Sequence, residues 1–316
     1  MEQRQTSTRV AGVDVGKQGL DVALHGREDE AHFPNTAAGI ADLIAWLRAS
    51  EVARVGLEAS GGYERALRRA LDTHGFEVVV HQPLEVRRFA QIKRWRAKND
   101  RLDARLIAAA TAQVDAVRAA QDPRLEALAQ QLTVYELLTE QTAALKTLLR
   151  MLDDAGLAAE VRSQIDERVR HAKRLMAAIL AQIRTHADLL ARLRLLLSLP
   201  GFGPIVAATM VIRMPELACL RRGQAASLVG VAPFDRQSGQ WKGQRFISGG
   251  RSRPRRMLYL AALAAKRYHP DFKAFATRLQ ARGKPAKLIL VAIMRKLIEA
   301  ANLVLARGTP WRQQPA

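Results

Sequence analysis

The stretch RVAGVDVGKQGLDVAL, residues 9–24, decides the fold. Its first half, Arg9–Val15, is an apolar run interrupted only by Gly12 and Asp14, and it predicts a β-strand. Turn residues follow, and Leu20–His25 then predicts a second strand. A third short run, Ala31–Phe33, completes a predicted three-stranded meander.

Helices and strands alternate after this meander. The spacing of apolar residues predicts a helix over 38–49, a strand over 54–58, a helix over 63–73, a strand over 76–81, a helix after Pro83 and a longer helix over 100–117. Three meander strands followed by this alternation give the element order of a ribonuclease H-like domain, with a mixed sheet and helices on its faces. We assign this α/β domain to residues 1–120.

Two helical segments are predicted after Pro123. Apolar residues recur every three or four positions from Leu125 to Leu152 and again from Val161 to Leu197. This pattern predicts an antiparallel helix pair or coiled coil over 121–197, either an oligomerisation arm or an ordinary helical subdomain. The third domain, 198–316, is predicted to be mostly helical. It opens with the turn Pro200–Pro204, which is typical of a helix-hairpin-helix or of a plain turn between helices.

Positive charge is concentrated at the C-terminal end of the chain. The 316 residues carry 50 Lys and Arg against 30 Asp and Glu, a net charge of +20. Residues 221–316 hold 20 of the basic residues and 3 of the acidic ones. This charge distribution indicates a polyanionic partner, and nucleic acid is the commonest one.

Several classes of protein are excluded by composition. The single cysteine, Cys219, excludes an internal disulfide and a cysteine-based zinc module. The N-terminus lacks the apolar core of a signal peptide, and no apolar run approaches the ~18 residues of a spanning helix. We therefore expect a cytoplasmic protein that is not associated with a membrane.

Four acidic residues stand where a metal site would place them. Asp14 and Glu58 each end a predicted strand, and Asp100 and Asp103 share one face at the start of a helix. Oxygen donors of this kind select Mg²⁺ or Mn²⁺, and two such ions stabilise phosphodiester displacement. Taken singly, Asp100 is also a good helix N-cap and Asp103 an ordinary surface acid.

A serine in the basic third domain is a candidate nucleophile. Ser238 precedes Gly239 in a loop bordered by arginine and lysine, and no histidine lies near it in sequence. Attack on phosphate would need an activated hydroxyl and neutralisation of the charge on phosphorus. A serine in such a loop is more often a turn residue, and Ser227, Ser248 and Ser252 are also available.

The motifs around these residues resemble the DEDD transposases of bacterial insertion sequences, the group that includes bridge-RNA-guided recombinases. Three N-terminal blocks and three C-terminal blocks carry the resemblance in the family's order. They are Gly12–Lys17, Glu58–Tyr63, Lys98–Ala104, Leu228–Pro233, Gln237–Gly239 and Gly250 with Arg256–Leu258.

The resemblance implies a RuvC-like N-terminal domain in which Asp14, Glu58, Asp100 and Asp103 bind two Mg²⁺ or Mn²⁺ ions. It also implies a coiled-coil insert and a transposase domain in which Ser238 becomes joined to DNA. A homo-oligomer, a dimer or tetramer with composite sites, and a non-coding bridge RNA are implied as well. From charge and glycine placement we expect these nucleic-acid contacts: Lys17, Arg94, Arg96, Lys98, Gly201, Gly203, Lys242, Arg245, Arg251, Arg253, Arg255 and Arg256.

The sequence leaves three functions open. The first is metal-dependent DNA cleavage and rejoining with Ser238 as the nucleophile, as expected of a transposase. The second is a junction-resolving nuclease in which the four acids act with water. The third is a non-catalytic DNA-binding protein. Substitutions of Ser238 and Asp100 discriminate among them.

Overall fold

A computed structural model describes residues 9–95, 100–115, 122–234, 237–238, 241–242 and 246–311, with the backbone alone at 100–102, 237–238 and 241–242. The chain divides into two compact units, Met1–Gln121 and Asp122–Ala316. Each unit has a hydrophobic core of its own.

The first unit is built on a five-stranded sheet. Its strands are β1 (Arg9–Val15), β2 (Gly19–Leu24), β3 (Glu30–Pro34), β4 (Val52–Glu58) and β5 (Glu77–His81). The strand order is β3-β2-β1-β4-β5, in which β3, β2 and β1 pair antiparallel and β1, β4 and β5 pair parallel. The helices are α1 (Ala37–Ala49), α2 (Arg65–Thr73), α3 (Pro83–Lys93) and α4 (Asp100–Ala112).

Helices cover both faces of this sheet. Alternate residues of β1, such as Val13, point into the core formed with α1 and α2. The opposite face of the sheet packs against α4. Local signals set the helix starts: the Thr36 side chain accepts from the Gly39 N–H, and Pro83 begins α3.

The second unit is mainly helical. It contains α5 (Pro123–Leu149), α6 (Ala155–Arg184), α7 (Ala187–Leu197), α8 (Pro204–Arg213), α9 (Gln224–Val229), α10 (Ser252–Tyr268), α11 (Pro270–Ala281) and α12 (Ala286–Arg307). Four two-residue strands, β6 (Pro233–Phe234), β7 (Gln237–Ser238), β8 (Trp241–Lys242) and β9 (Phe246–Ile247), form a nested hairpin in which β6 pairs with β9 and β7 with β8.

Helices α5 and α6 form an antiparallel pair. The Gln131 amide donates to Gln182 near one end, and Arg168 reaches Gln141 toward the other. Aspartates cap both helices, since Asp122 and Asp154 accept from backbone N–H groups of the first turn. One core runs from α5 through α12, so the segments 121–197 and 198–316, which the sequence predicts as separate domains, lie in the same compact unit.

The predicted fold class is confirmed: an α/β unit with a ribonuclease H-like element order precedes a helical part. The strand β1 has the predicted bounds, and the other strands of the sheet differ by at most two residues at either end. Among the described helices, none is both long and apolar enough to cross a bilayer.

Candidate metal and nucleic-acid site

Strand pairing places Asp14 beside Glu58. Strands β1 and β4 are parallel, and Val13 is the register partner of Leu57, so each acid is the next residue along its strand. Both carboxylates therefore leave the carboxyl edge of the sheet at neighbouring positions, and both side chains are half-buried. Ligands commonly bind at this edge of α/β sheets.

Two glycines bring α4 into close contact with the strands that carry these acids. A Cβ on Gly12 would lie 2.2 Å from the Ala108 nitrogen and 2.3 Å from the Ala104 oxygen. A Cβ on Gly56 would lie 1.8 Å from the Thr111 Oγ1. Each glycine stands two residues before an acid, so it shares that acid's face of the sheet. The repeated spacing glycine–apolar–acid was a sequence signal for the site.

The direction of α4 brings its first turn to the same edge. The Arg54 guanidinium, at the beginning of β4, donates to the Val114 carbonyl at 2.7 Å, just beyond the C-terminus of α4. The helix therefore runs opposite to β4. Its N-terminal turn, with Asp100 and the half-buried Asp103, lies toward the edge where Asp14 emerges.

The described side chains do not by themselves form a closed ion cage. Among them, no group of three or more His, Cys, Asp or Glu side chains converges closely enough to hold a metal ion. Asp100 is described by its backbone alone. The structure thus places Asp14, Glu58 and Asp103 at one edge of the sheet.

A buried histidine, which the sequence reasoning missed, lies next to Glu58. His81 is the register partner of Glu58 and is 7% exposed. Its Nε2 lies 2.9 Å from the Thr111 Oγ1, which donates to the Ile107 carbonyl at 2.7 Å. Burial lowers the pKa of His81, and the nearby Glu85 opposes that shift. The His81–Thr111 contact therefore joins the last residue of β5 to α4 on the acid-bearing face.

Two loops at the sheet edge are joined by Asn35, another residue missed from sequence. Its side-chain amide donates to the Gly16 carbonyl at 2.9 Å and to the Tyr63 carbonyl at 3.4 Å. Gly16 follows Asp14 by two residues, and Tyr63 follows Glu58 by five. The loops after the two acidic strands are thus held together by one side chain.

The Glu64 carboxylate organises the second of these loops. It accepts from the backbone N–H groups of Ser60 (3.1 Å) and Gly62 (2.8 Å) and from the Ser60 hydroxyl (2.9 Å). Partial burial raises the pKa of Glu64, but hydrogen bonds from backbone N–H groups and from Ser60 outweigh it and leave the pKa lowered. Glu64 therefore serves the loop as a charged acceptor.

Ser238 lies in the nested hairpin of the second unit. It belongs to β7 and is the register partner of Trp241 in β8. Two outer pairs, Pro233 with Ile247 and Phe234 with Phe246, close the base of this hairpin. The candidate serine thus stands near the tip of a short β-hairpin, inserted between α9 and α10.

Four of the arginines predicted to contact nucleic acid have partners within the second unit. Arg251 pairs with Glu216 and donates to the Arg213 carbonyl, Arg253 pairs with Glu136 at 2.7 Å, and Arg256 pairs with Glu140. Arg255 donates to the carbonyls of Gly230 and Gly249. These side chains therefore fasten α10 to α5, to the end of α8 and to the preceding loop.

The remaining predicted contacts fall in four groups. Lys17 and Arg94 are exposed, and Gly203 is exposed at the start of α8 with open space at its Cα. Gly201 is half-buried, and a Cβ there would lie 2.2 Å from the Ala261 carbonyl, so its absence permits α10 to approach. Lys242 is described by its backbone alone, and three predicted contacts lie outside the described residues: Arg96, Lys98 and Arg245.

Comparison with known proteins identifies the family. A family described as transposase, the DEDD type of IS110, matches residues 11–156, and the IS116/IS110/IS902 transposase family matches residues 193–277. The pilin gene-inverting proteins of Moraxella lacunata and Moraxella bovis are each 26% identical over 321 residues, which span 95% of this chain and 96% of theirs.

A shorter match covers 36% of this chain and 29% of an uncharacterised 43.6 kDa protein of insertion element IS110 from Streptomyces coelicolor, with 28% identity. The two family matches together cover more than two thirds of the chain, and they include the acidic edge, the serine hairpin and α10. The chain therefore belongs to the IS116/IS110/IS902 family of transposases, with a DEDD-type N-terminal region.

Proposed function

We propose that this transposase cleaves and rejoins DNA strands with a divalent-metal site formed by Asp14, Glu58, Asp100 and Asp103. The observation that carries the proposal is the pairing of β1 with β4, which sets Asp14 and Glu58 side by side where α4 presents Asp103. Membership of a DEDD transposase family implies a DNA substrate and use of divalent metal.

The residues at this edge fit a hard divalent ion, both in the chemistry of their side chains and in the packing that holds them in place. All four are carboxylates, the donors that Mg²⁺ and Mn²⁺ prefer. The described three are half-buried, and two glycines hold α4 against the strands beneath them. When bound, two such ions stabilise both the attacking and the leaving oxygen of a phosphodiester. The protein's own part is to hold the carboxylates in place and to keep the DNA backbone beside them.

A matched set of substitutions tests the metal site. Asp14→Asn, Glu58→Gln and Asp103→Asn each remove one charge, and Asp42→Asn makes the same change at an exposed position of α1. We expect the first three to abolish Mg²⁺-dependent cleavage of labelled DNA carrying the element ends, while DNA binding persists. Asp42→Asn should cleave like the unmodified protein. Undiminished cleavage by Asp14→Asn would rule out the proposal.

We propose further that Ser238 is the nucleophile. Its Oγ forms a bond to phosphorus as the bond to one sugar oxygen breaks, its proton passes to solvent, and the leaving oxygen takes up a proton. A hydroxyl of another DNA end then attacks the phosphorus and loses its proton. The serine oxygen leaves and takes up a proton, and the new bond to the incoming oxygen restores the phosphodiester. Ser238 lies within residues 193–277, which match the IS116/IS110/IS902 transposase family, and this match supports the role.

Trapping a covalent adduct tests the serine assignment. Protein incubated with labelled DNA and Mg²⁺ should retain a nucleotide on the peptide that contains Ser238. The adduct should disappear in Ser238→Ala and persist in the three control variants, Ser227→Ala, Ser248→Ala and Ser252→Ala. Cleavage by Ser238→Ala at the unmodified rate would favour metal-activated water as the nucleophile, the nuclease alternative.

DNA inversion is the class of rearrangement that the relatives suggest, because two of them are named as pilin gene-inverting proteins.

Three further proposals rest on family resemblance. They are RNA guidance, a dimer or tetramer with composite sites, and action at the nucleoid. Co-purification of a defined RNA, its requirement for cleavage, and the mass of the assembly in solution test the first two. Cleavage unchanged after ribonuclease treatment would exclude the guide.

Nucleic-acid contacts are proposed at the positions expected from sequence, among them the exposed Lys17 and Arg94 of the first unit and the exposed Arg253 and Arg256 of the second. Exposed lysines and arginines bind phosphates by releasing counterions, so affinity should fall steeply as salt rises. Arg253 and Arg256 have carboxylate partners, so their substitution should lower stability along with any loss of binding. A flat salt response between low and physiological ionic strength would contradict this part of the proposal.

A further inference from the structure

An exposed aromatic ring lies on the loop that follows Glu58. Tyr63 is 49% exposed, although its backbone is firmly held: Asn35 donates to its carbonyl, and the loop before it is fixed by Glu64. Gly61 and Gly62 have φ angles of 75° and 120°, which favour glycine and fix the course of the loop before the ring. A rigid backbone with an exposed ring is a preorganised binding feature.

Two cationic side chains accompany the ring. The Arg65 guanidinium lies over Gly62, with its Nε 3.5 Å and its Cζ 3.6 Å from the place where a Cβ on that glycine would stand. Lys17 is exposed on the neighbouring loop, next to Gly16. Because Asn35 contacts both carbonyls, the Gly16 and Tyr63 carbonyl oxygens lie within about 6.3 Å of each other. The ring and Lys17 thus stand on two joined loops, and Arg65 is the first residue of α2, directly after one of them.

We propose that these loops form a subsite for single-stranded DNA, in which the Tyr63 ring stacks on a base and Arg65 and Lys17 contact the flanking phosphates. A base paired within a duplex has no free face, whereas a base in a single strand stacks on aromatic side chains regardless of sequence. The subsite rests on the proposed function, since the same loops follow the strands that carry Asp14 and Glu58. It holds the strand whose phosphodiester faces the acids.

Binding measured without cleavage tests this subsite. Single-stranded and duplex oligodeoxynucleotides carrying 2-aminopurine are titrated with the full chain in EDTA, and base stacking is followed by fluorescence quenching. Tyr63→Phe keeps the ring and should bind the single strand within twofold of the unmodified protein. Tyr63→Leu has no ring and should bind about 5- to 100-fold more weakly, with reduced quenching. Duplex affinity should be nearly unchanged.

Controls separate stacking from other roles. Arg65→Ala and Lys17→Ala should each reduce the dependence of log affinity on log salt by roughly 0.7. Unchanged single-strand binding by Tyr63→Leu would overturn the subsite, and equal weakening by Tyr63→Phe would show that the hydroxyl acts and not the ring. Ring-dependent binding of RNA without binding of DNA would also overturn it. Urea denaturation of each variant checks the fold.

The test is independent of the metal site. If Asp14→Asn still cleaves DNA while Tyr63→Leu loses single-strand binding, the proposed function fails and the subsite stands. If Asp14→Asn is inactive and Tyr63→Leu binds normally, the subsite fails and the proposed function stands.

Discussion

Replacing Gly12 by alanine tests the link between the packing of α4 and the acidic edge. The new Cβ would lie 2.2 Å from the Ala108 nitrogen and 2.3 Å from the Ala104 oxygen, whereas ordinary contact begins at 3.4 Å. Both atoms are helix backbone, so no side-chain rotation relieves the overlap. The helix must move outward by about 1.1 Å at Ala104 and by about 1.2 Å at Ala108 to reach ordinary contact. Asp103, the residue before Ala104, moves with it.

The expected cost follows from this displacement. Overpacking a well-filled core lowers the free energy of unfolding by about 1–3 kcal/mol, and a backbone clash belongs at the upper end of that range. A shift of about 1 Å in a catalytic group lowers the rate by about 100-fold. Gly12→Ala should therefore lose both stability and metal-dependent cleavage, although it changes no charge and removes no atom.

Urea denaturation and cleavage of labelled DNA measure the two effects. Gly156→Ala is the matched control, because Gly156 is exposed in the first turn of α6 and its Cβ would meet only the Asp154 side chain, at 3.2 Å. The control should retain stability and activity. Normal stability and normal cleavage in Gly12→Ala would refute the contact between β1 and α4 as the structure has it.

Three further predictions concern residues that stabilise one or the other unit internally. Thr111→Val removes the oxygen that His81 contacts, and a double-mutant cycle with His81→Phe should show a coupling of about 1 kcal/mol in urea denaturation; no coupling would deny the hydrogen bond. Since the pKa of Glu64 is lowered, its stabilising contribution is full above its ordinary value of 4.5 and is lost as pH falls through the folded-state value. Glu64→Gln should remove this acid-side loss from curves of unfolding free energy against pH, and an unaltered curve would contradict the assignment. Glu136 is 8% exposed and is contacted by two arginines, so Glu136→Ala should lower the free energy of unfolding by about 3 kcal/mol. Glu140→Ala, at an exposed pair, should lower it by less than about 1 kcal/mol in the same assay. Similar losses at the two positions would count against the difference in burial.

Local sequence patterns were sufficient for the elements and for the positions of the acids on them. The alternation of apolar residues in β1 and the threefold and fourfold spacing in α5 and α6 depend on near neighbours alone. The position of Asp14 and Glu58 at strand ends follows from the same patterns. The sequence also indicated a polyanionic partner, because net charge needs no knowledge of the fold.

Tertiary structure decided which side chains pack or pair inside the protein. Arg253 contacts Thr133, 120 residues away, and joins Glu136 there, which no local pattern reveals. Gly12 lies in a predicted strand and Gly201 in a predicted turn, yet each is required because a distant helix backbone approaches it. His81 acquired a role only when β5 and α4 brought it to Thr111. Contacts of this kind join residues that are far apart in sequence. They are set by the packing of whole helices and strands against each other and not by the residues beside them in sequence.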